Sequence, residues 1–184
     1  SDAAQSADIV NKTAAHYGRL DILVNNAARG GKAIAVERMP LEEWQTTVNL
    51  NLTGPFLMSK AAIPIMRGQK FGRIINISSI AGPRVSFSNG ADYSATKSGL
   101  EGLTRHLSTE VGRHGITVNA CFILGLDGQT TDVFADVAAF ADEVQPYDVQ
   151  VTILTPFPGT PLYDRLLREG RILQPGAWHL CTLF

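Results

Sequence analysis

The sequence is short of several things, and each shortage closes off a class of protein. It has 2 cysteines, Cys121 and Cys181, too few for a disulfide scaffold and without the clustered spacing of a zinc or iron–sulfur site. The 4 histidines, His16, His106, His114 and His179, form no ligand pattern, so no metal is expected. Net charge is almost absent: 16 Lys+Arg stand against 17 Asp+Glu, leaving −1 at pH 7 and no field to attract nucleic acid or anionic lipid. No apolar run approaches the roughly 20 residues of a membrane-crossing helix. No secretory leader is visible and the first methionine is Met39, which suggests a fragment of a longer reading frame. A reducing, cytoplasmic setting is the corresponding expectation.

What is present suits one α/β domain. The 184 residues are 45% hydrophobic and 18% charged, the balance of a globular chain that buries roughly 70% of its unfolded surface. The average conceals a break. Residues 1–121 carry 13 basic and 9 acidic groups, net +4, whereas 122–184 carry 3 and 8, net −5. No lysine follows Lys97, and 5 of the 9 prolines fall in that acidic tail. Two differently derived segments joined into one domain would give this pattern.

Periodicity alternates between strand and helix. Ala3 to Tyr17 reads as a helix with Val10 and Ala14 on one face, stopped by Gly18. Leu20 to Asn25 reads as a strand, and Pro40 to about Arg67 as helix that Pro55 and Pro64 kink or divide. Arg73 to Ser78 is a second strand, Ser79 to Asn89 a loop, and Asp92 to His114 a long helix. Ile116 to Leu124 is a third strand, apolar enough to be covered on both faces. Thr130 to Glu143 (helix), Val149 to Leu154 (strand) and Thr160 to Glu169 (short helix) repeat the rhythm. The expected fold is a partial Rossmann-like parallel sheet of about four strands in sequence order. Its crossover helices cover one face, leaving only the N-terminal helix, or that helix and the last one, for the other.

Ligands of such sheets lie beyond the carboxyl ends of the strands. The first strand ends in Asn25-Asn26-Ala27-Ala28, the second in Asn76-Ile77-Ser78-Ser79, and the next helix opens on Tyr93-Ser94-Ala95-Thr96-Lys97. Tyr93 and Lys97 share a helix face at i,i+4. A phenol is a poor acid or base at neutral pH until a nearby ammonium stabilises its phenolate. Ser79 could then hydrogen-bond the oxygen of a carbonyl or alcohol. Singly, each feature has an ordinary structural reading: a solvated helix pair, a turn serine, turn-forming asparagines. Their joint order and spacing is what points to chemistry.

That order makes residues 1–121 resemble the short-chain dehydrogenase/reductase family. Asp21 to Ala28 is similar to its Asn-Asn-Ala-Gly element, with Ala28 where glycine is usual. Val48 to Gly54 resembles the helix of the active-site asparagine, here Asn51. Gly72 to Ser79 resembles the strand of the catalytic serine, and Tyr93-x-x-x-Lys97 the catalytic pair. The resemblance implies Tyr93 as acid/base, with Lys97 lowering its pKa and holding the nicotinamide ribose. It also implies Ser79 orienting substrate, Asn51 supporting a water-linked proton path, and Asn25, Asn26 and Ala27 lining the cofactor cleft. NAD or NADP would be the cofactor and a small carbonyl or alcohol the substrate. No Gly-x-x-x-Gly-x-Gly follows a strand here, so coenzyme binding is expected to be weak.

Phe122 to Thr130 and Thr152 to Tyr163 instead resemble the C-terminal barrel part of cobalamin-associated radical S-adenosylmethionine enzymes, over about 115–173. The seam would lie in the strand at 114–120. No iron–sulfur cluster is expected, because the cysteines lie far apart. Three functions stay open: an oxidoreductase, a non-catalytic chimeric or truncated protein, and a nicotinamide-binding module without turnover. A half-covered sheet also predicts a homo-oligomer.

Overall fold

The computed structural model describes residues 2–30, 32–79, 90–124, 149–153 and 160–172, with 131, 132, 134, 135, 138 and 139. Helix α1 (Ala3–Tyr17) starts where the Asp2 carboxylate accepts from the backbone N–H groups of Ala4 and Gln5, at 2.8 and 3.1 Å. It ends at Gly18 with a left-handed φ of 72°. Strand β1 (Ile22–Asn25), helix α2 (Leu41–Val48), a π-helical turn (Asn49–Thr53) and helix α3 (Gly54–Gln69) follow. Then come β2 (Gly72–Ile77), α4 (Ala91–Val111), a 3-10 turn (Gly112–His114), β3 (Ile116–Leu124), β4 (Val149–Ile153) and α5 (Pro161–Arg168). The expected helix at 130–143 is helical at 132, 134, 135, 138 and 139. Its other residues, and most of the 79–89 loop, lie outside the described residues.

The sheet is parallel throughout, in the order β1-β2-β3-β4. Registers pair Leu23 with Ile74, and Ile74 with Val118. These residues point to one face and form the core with Ile116, Ala62 and Met66 of α3, and Leu107 and Val111 of α4. Gln69 fastens the end of α3 to the approach to β1. Its Oε1 accepts from the Leu20 N–H at 2.8 Å, and its Nε2 donates to the Leu20 carbonyl at 2.9 Å. Gly115 (φ 75°) makes the turn into β3, where an added Cβ would stand 2.4 Å from the Lys70 carbonyl.

Three expectations change. First, α1 does not cover the opposite face: it packs on α3, and its Val10 joins the same core. One narrow stripe centred on Val10 is enough for that groove but not to roof a sheet. On the far face Ile22 and Val24 are 57% and 52% exposed. Second, β3 is not evenly covered. Ile116, Val118 and Ala120 are buried, while on the other face cover increases along the strand, from half-buried Thr117 and Asn119 to buried Cys121. Third, Pro64 does not interrupt α3. It sits on the exposed side, where water can serve the carbonyl it leaves without a donor. The break falls instead at the π turn just before Pro55.

Candidate functional site

The carboxyl ends of β1 and β2, the π turn and the first turns of α4 meet through side-chain hydrogen bonds. A buried ladder runs beneath them. Asn25 Nδ2 donates to Asn76 Oδ1 at 2.8 Å and to Ser59 Oγ at 3.3 Å. Asn76 Nδ2 donates to Thr104 Oγ1 at 2.8 Å, and that hydroxyl donates to the Leu100 carbonyl. Four amide and hydroxyl groups that would be costly unpaired thus tie β1, β2, α3 and α4 together. The Asn25 side chain, expected at a cofactor, is committed to this ladder. Asn26, Ala27 and Ala28 are exposed just beyond it.

Asn51 is 1% exposed and clamps the loop that follows β1. Its Oδ1 accepts from the Arg29 N–H, and its Nδ2 donates to the Arg29 carbonyl, both at 2.9 Å. Nδ2 also lies 3.3 Å from Thr96 Oγ1, which donates to the Tyr93 carbonyl at 2.8 Å. The Asn51 side chain is therefore a brace between the exposed loop and the start of α4. Pro55 has no N–H, so the α-helical bond into the Asn51 carbonyl cannot form. Arg29 is further held by an ion pair to Glu43 of α2.

The start of α4 has a second anchor. Asp92 is fully buried, and its Oδ2 accepts from Thr47 Oγ1 at 2.6 Å. Its Oδ1 has no hydrogen-bond partner among the described residues. Gly90 must be glycine here: an added Cβ would stand 2.4 Å from both Asp92 Oδ1 and the Lys32 carbonyl. Next in the chain, Tyr93 is half-buried.

Lys97 is 3% exposed. Its Nζ donates to the Ile77 carbonyl at 2.6 Å, two residues before the half-buried Ser79, and lies 5.6 Å from the Tyr93 ring centroid. Burial pulls the Lys97 ammonium down to about 8, and Glu101 opposes that shift. Glu101 itself is pushed up to about 7 by burial, against the Ser78 hydrogen bond and the charges of Arg105 and Lys97. Sequence reasoning missed Thr104, Asp92, Thr47 and Glu101, and placed Asn76 and Ser78 at the strand end without a role. Their partners lie 23 to 51 positions away, so no local period marks them. Among the described residues, no group of three His, Cys, Asp or Glu is placed to hold a metal ion.

The two shifts give a pH dependence. Between about pH 4.5 and 7 the folded chain keeps a proton on Glu101 that the unfolded chain releases, so stability falls as pH rises. Between about pH 8 and 10.5 the unfolded chain keeps a proton on Lys97 that the folded chain releases, so stability recovers. Urea unfolding at pH 5 and pH 7.5 is expected to show a drop of order 1–3 kcal/mol, which Glu101→Gln flattens. An equal drop in the variant would contradict this.

Comparison with known proteins follows the same residues. A family profile described as short chain dehydrogenase matches residues 1–138. The chain belongs to that family. An uncharacterized oxidoreductase of Bacillus subtilis, YxjF, is 47% identical over 118 residues, 64% of this chain and 45% of its own length. A 3-oxoacyl-[acyl-carrier-protein] reductase of Synechocystis is 42% identical over 120 residues, 65% of this chain and 48% of its own. Among solved structures, a metagenomic short-chain oxidoreductase in complex with NADP superposes with a TM-score of 0.67 at 31% identity, over 84% of this chain and 71% of that one. The chain spans about half the length of the curated relatives it matches. The dehydrogenase match continues through residue 138, beyond the 114–120 strand expected to hold a seam.

Proposed function

We propose that this chain carries the proton-handling part of an NAD(P)-dependent oxidoreductase that moves hydride between a nicotinamide and a small carbonyl or alcohol carbon. The observation that carries the reading is the seating of Lys97. One bond to the Ile77 carbonyl places a buried ammonium beside the Tyr93 ring and ties it to the strand end that leads to Ser79. In this reading Tyr93 gives its phenolic proton to the carbonyl oxygen as the carbon is reduced, or takes it from an alcohol in the reverse direction. The positive charge of Lys97 lies beside that ring. Ser79 orients the same oxygen. Asn51 holds the loop at 26–29 against α4, and its carbonyl, spared a bond by Pro55, is the acceptor for a proton-carrying water.

The nicotinamide supplies or accepts the hydride when bound. The exposed Asn26–Ala28 backbone and the buried Lys97 suit its ribose and nicotinamide end. No glycine-rich phosphate loop follows a strand here, so binding through this end alone is weak. The neighbour's NADP favours that coenzyme over NAD as the first to try. The test is coenzyme oxidation with a panel of simple ketones. Oxidation that requires ketone supports the reading. Fluorescence binding of coenzyme without oxidation identifies a binding module, and neither activity leaves a non-catalytic chain, in line with the chimera that the acidic tail suggests.

Association and setting complete the proposal. The far sheet face, with Ile22 and Val24 more than half exposed, is covered by a second copy of the chain. Sedimentation at micromolar concentration is expected to show an oligomer that Val24→Lys weakens, whereas a compact monomer would contradict it. Among the described residues no helix is long and apolar enough to cross a membrane, and Cys121 is a buried thiol. The thiol fits the reducing cytoplasm.

A further inference from the structure

We propose that Glu101 is a positioning residue for Lys97, a buried carboxyl one helical turn away that supports the ammonium and, through Ser78, anchors α4 to the strand end bearing Ser79. The inference rests on the reading of Lys97 as the cation beside the proton-carrying Tyr93.

Three polar groups are buried together where α4 crosses the end of β2: Ser78 and Glu101 are each 5% exposed and Lys97 3%. Ser78 Oγ donates to Glu101 Oε1 at 2.9 Å, and Lys97 Nζ donates to the neighbouring Ile77 carbonyl. The Ser78 N–H in turn donates to the Cys121 carbonyl of β3 at 2.9 Å. One helical turn thus grips two consecutive residues of the strand end, by Lys97 at 77 and by Glu101 at 78. The next residue is Ser79. A shift of α4 along the sheet would break both grips together, which fixes Tyr93, Lys97 and Ser79 as a unit.

The grip carries a second consequence. A carboxyl and an amine buried one turn apart on a helix face cannot titrate independently. The charges acting on Glu101 are Lys97 and Arg105, one turn to either side on α4. From β2 it meets the uncharged Ser78 hydroxyl, and the titratable group of β3 is the buried thiol of Cys121, paired with Ile77. Both cations favour ionised Glu101, and ionised Glu101 keeps the proton on Lys97. Burial opposes both charges, leaving Glu101 at about 7 and Lys97 at about 8. Near neutral pH the charge of Lys97 therefore depends on a residue that touches neither substrate nor coenzyme.

The test is a pH titration of the whole chain by NMR, with carbon-13 in the glutamate side-chain carboxyls and the lysine side chains, assigned by Glu101→Gln and Lys97→Met. Glu101 is expected to titrate far above the ordinary carboxyl range. In Glu101→Gln the Lys97 midpoint is expected to fall by roughly one pH unit. Glu101→Asp, which keeps the charge, restores most of it. Ser78→Ala is expected to raise the Glu101 midpoint. The proposal is overturned if Lys97 titrates identically in wild type and Glu101→Gln, or if Glu101 titrates as an exposed carboxyl. The proposed function fails by a different sign, hydride transfer that ignores Tyr93, which leaves the coupling between Glu101 and Lys97 untouched. An unmoved Lys97 with transfer that still requires Tyr93 removes only the role of Glu101.

Discussion

Tyr93→Phe is expected to lower the rate of ketone-dependent coenzyme oxidation by about 10²–10⁴-fold, the range for removing a general acid from its transition state. The substitution deletes one oxygen from a half-buried ring and leaves the ring's packing in place. Coenzyme affinity and folding stability should therefore change little while the rate collapses. Lys97→Met should produce a comparable loss by a different route, because Lys97 also holds the Ile77 carbonyl. It should weaken coenzyme binding as well, which separates the two roles. Steady-state rates with coenzyme binding measured in parallel check both. A Tyr93→Phe rate within a factor of two of wild type would remove the tyrosine from the mechanism.

Ile74→Ala is expected to cost about 2–5 kcal/mol of folding stability. Ile74 is fully buried at the centre of β2, paired in register with Leu23 on one side and Val118 on the other. Its side chain lies in the core shared with Ala62 and Met66 of α3 and Leu107 and Val111 of α4. Among the described residues that core lies on one side of the sheet. Urea unfolding should show a lower midpoint with an unchanged slope. A loss under about 0.5 kcal/mol, the size of a typical surface substitution, would mean the core is not organised around β2.

The elements themselves were readable because their signals are local. Gly18 stops α1 at the residue where the helix ends. The run from Ile116 to Leu124 is one strand from end to end. The parallel order follows from helices long enough to cross over between successive strands. Which face α1 takes was not readable. That is settled by the groove beside Ala62 and Met66, a surface formed by residues 50 positions further on. The same holds for the site. Tyr93, Lys97 and Ser79 announce themselves by spacing, whereas the groups that hold them do not. Asp92 and Glu101 look like ordinary helix charges until the fold buries one against Thr47 and the other against Ser78. Asn25 and Asn51 were legible as important asparagines, but their side chains turn inward to brace the frame.

The most direct measurement follows the hydrogen itself. The chain is incubated with a ketone and a nicotinamide coenzyme carrying deuterium at the transferable ring position, and the alcohol formed is weighed by mass spectrometry. One deuterium on the carbon that bore the oxygen is the predicted product, absent when Tyr93→Phe replaces the wild type. Alcohol without the label, or no alcohol with either NADH or NADPH, would contradict the account.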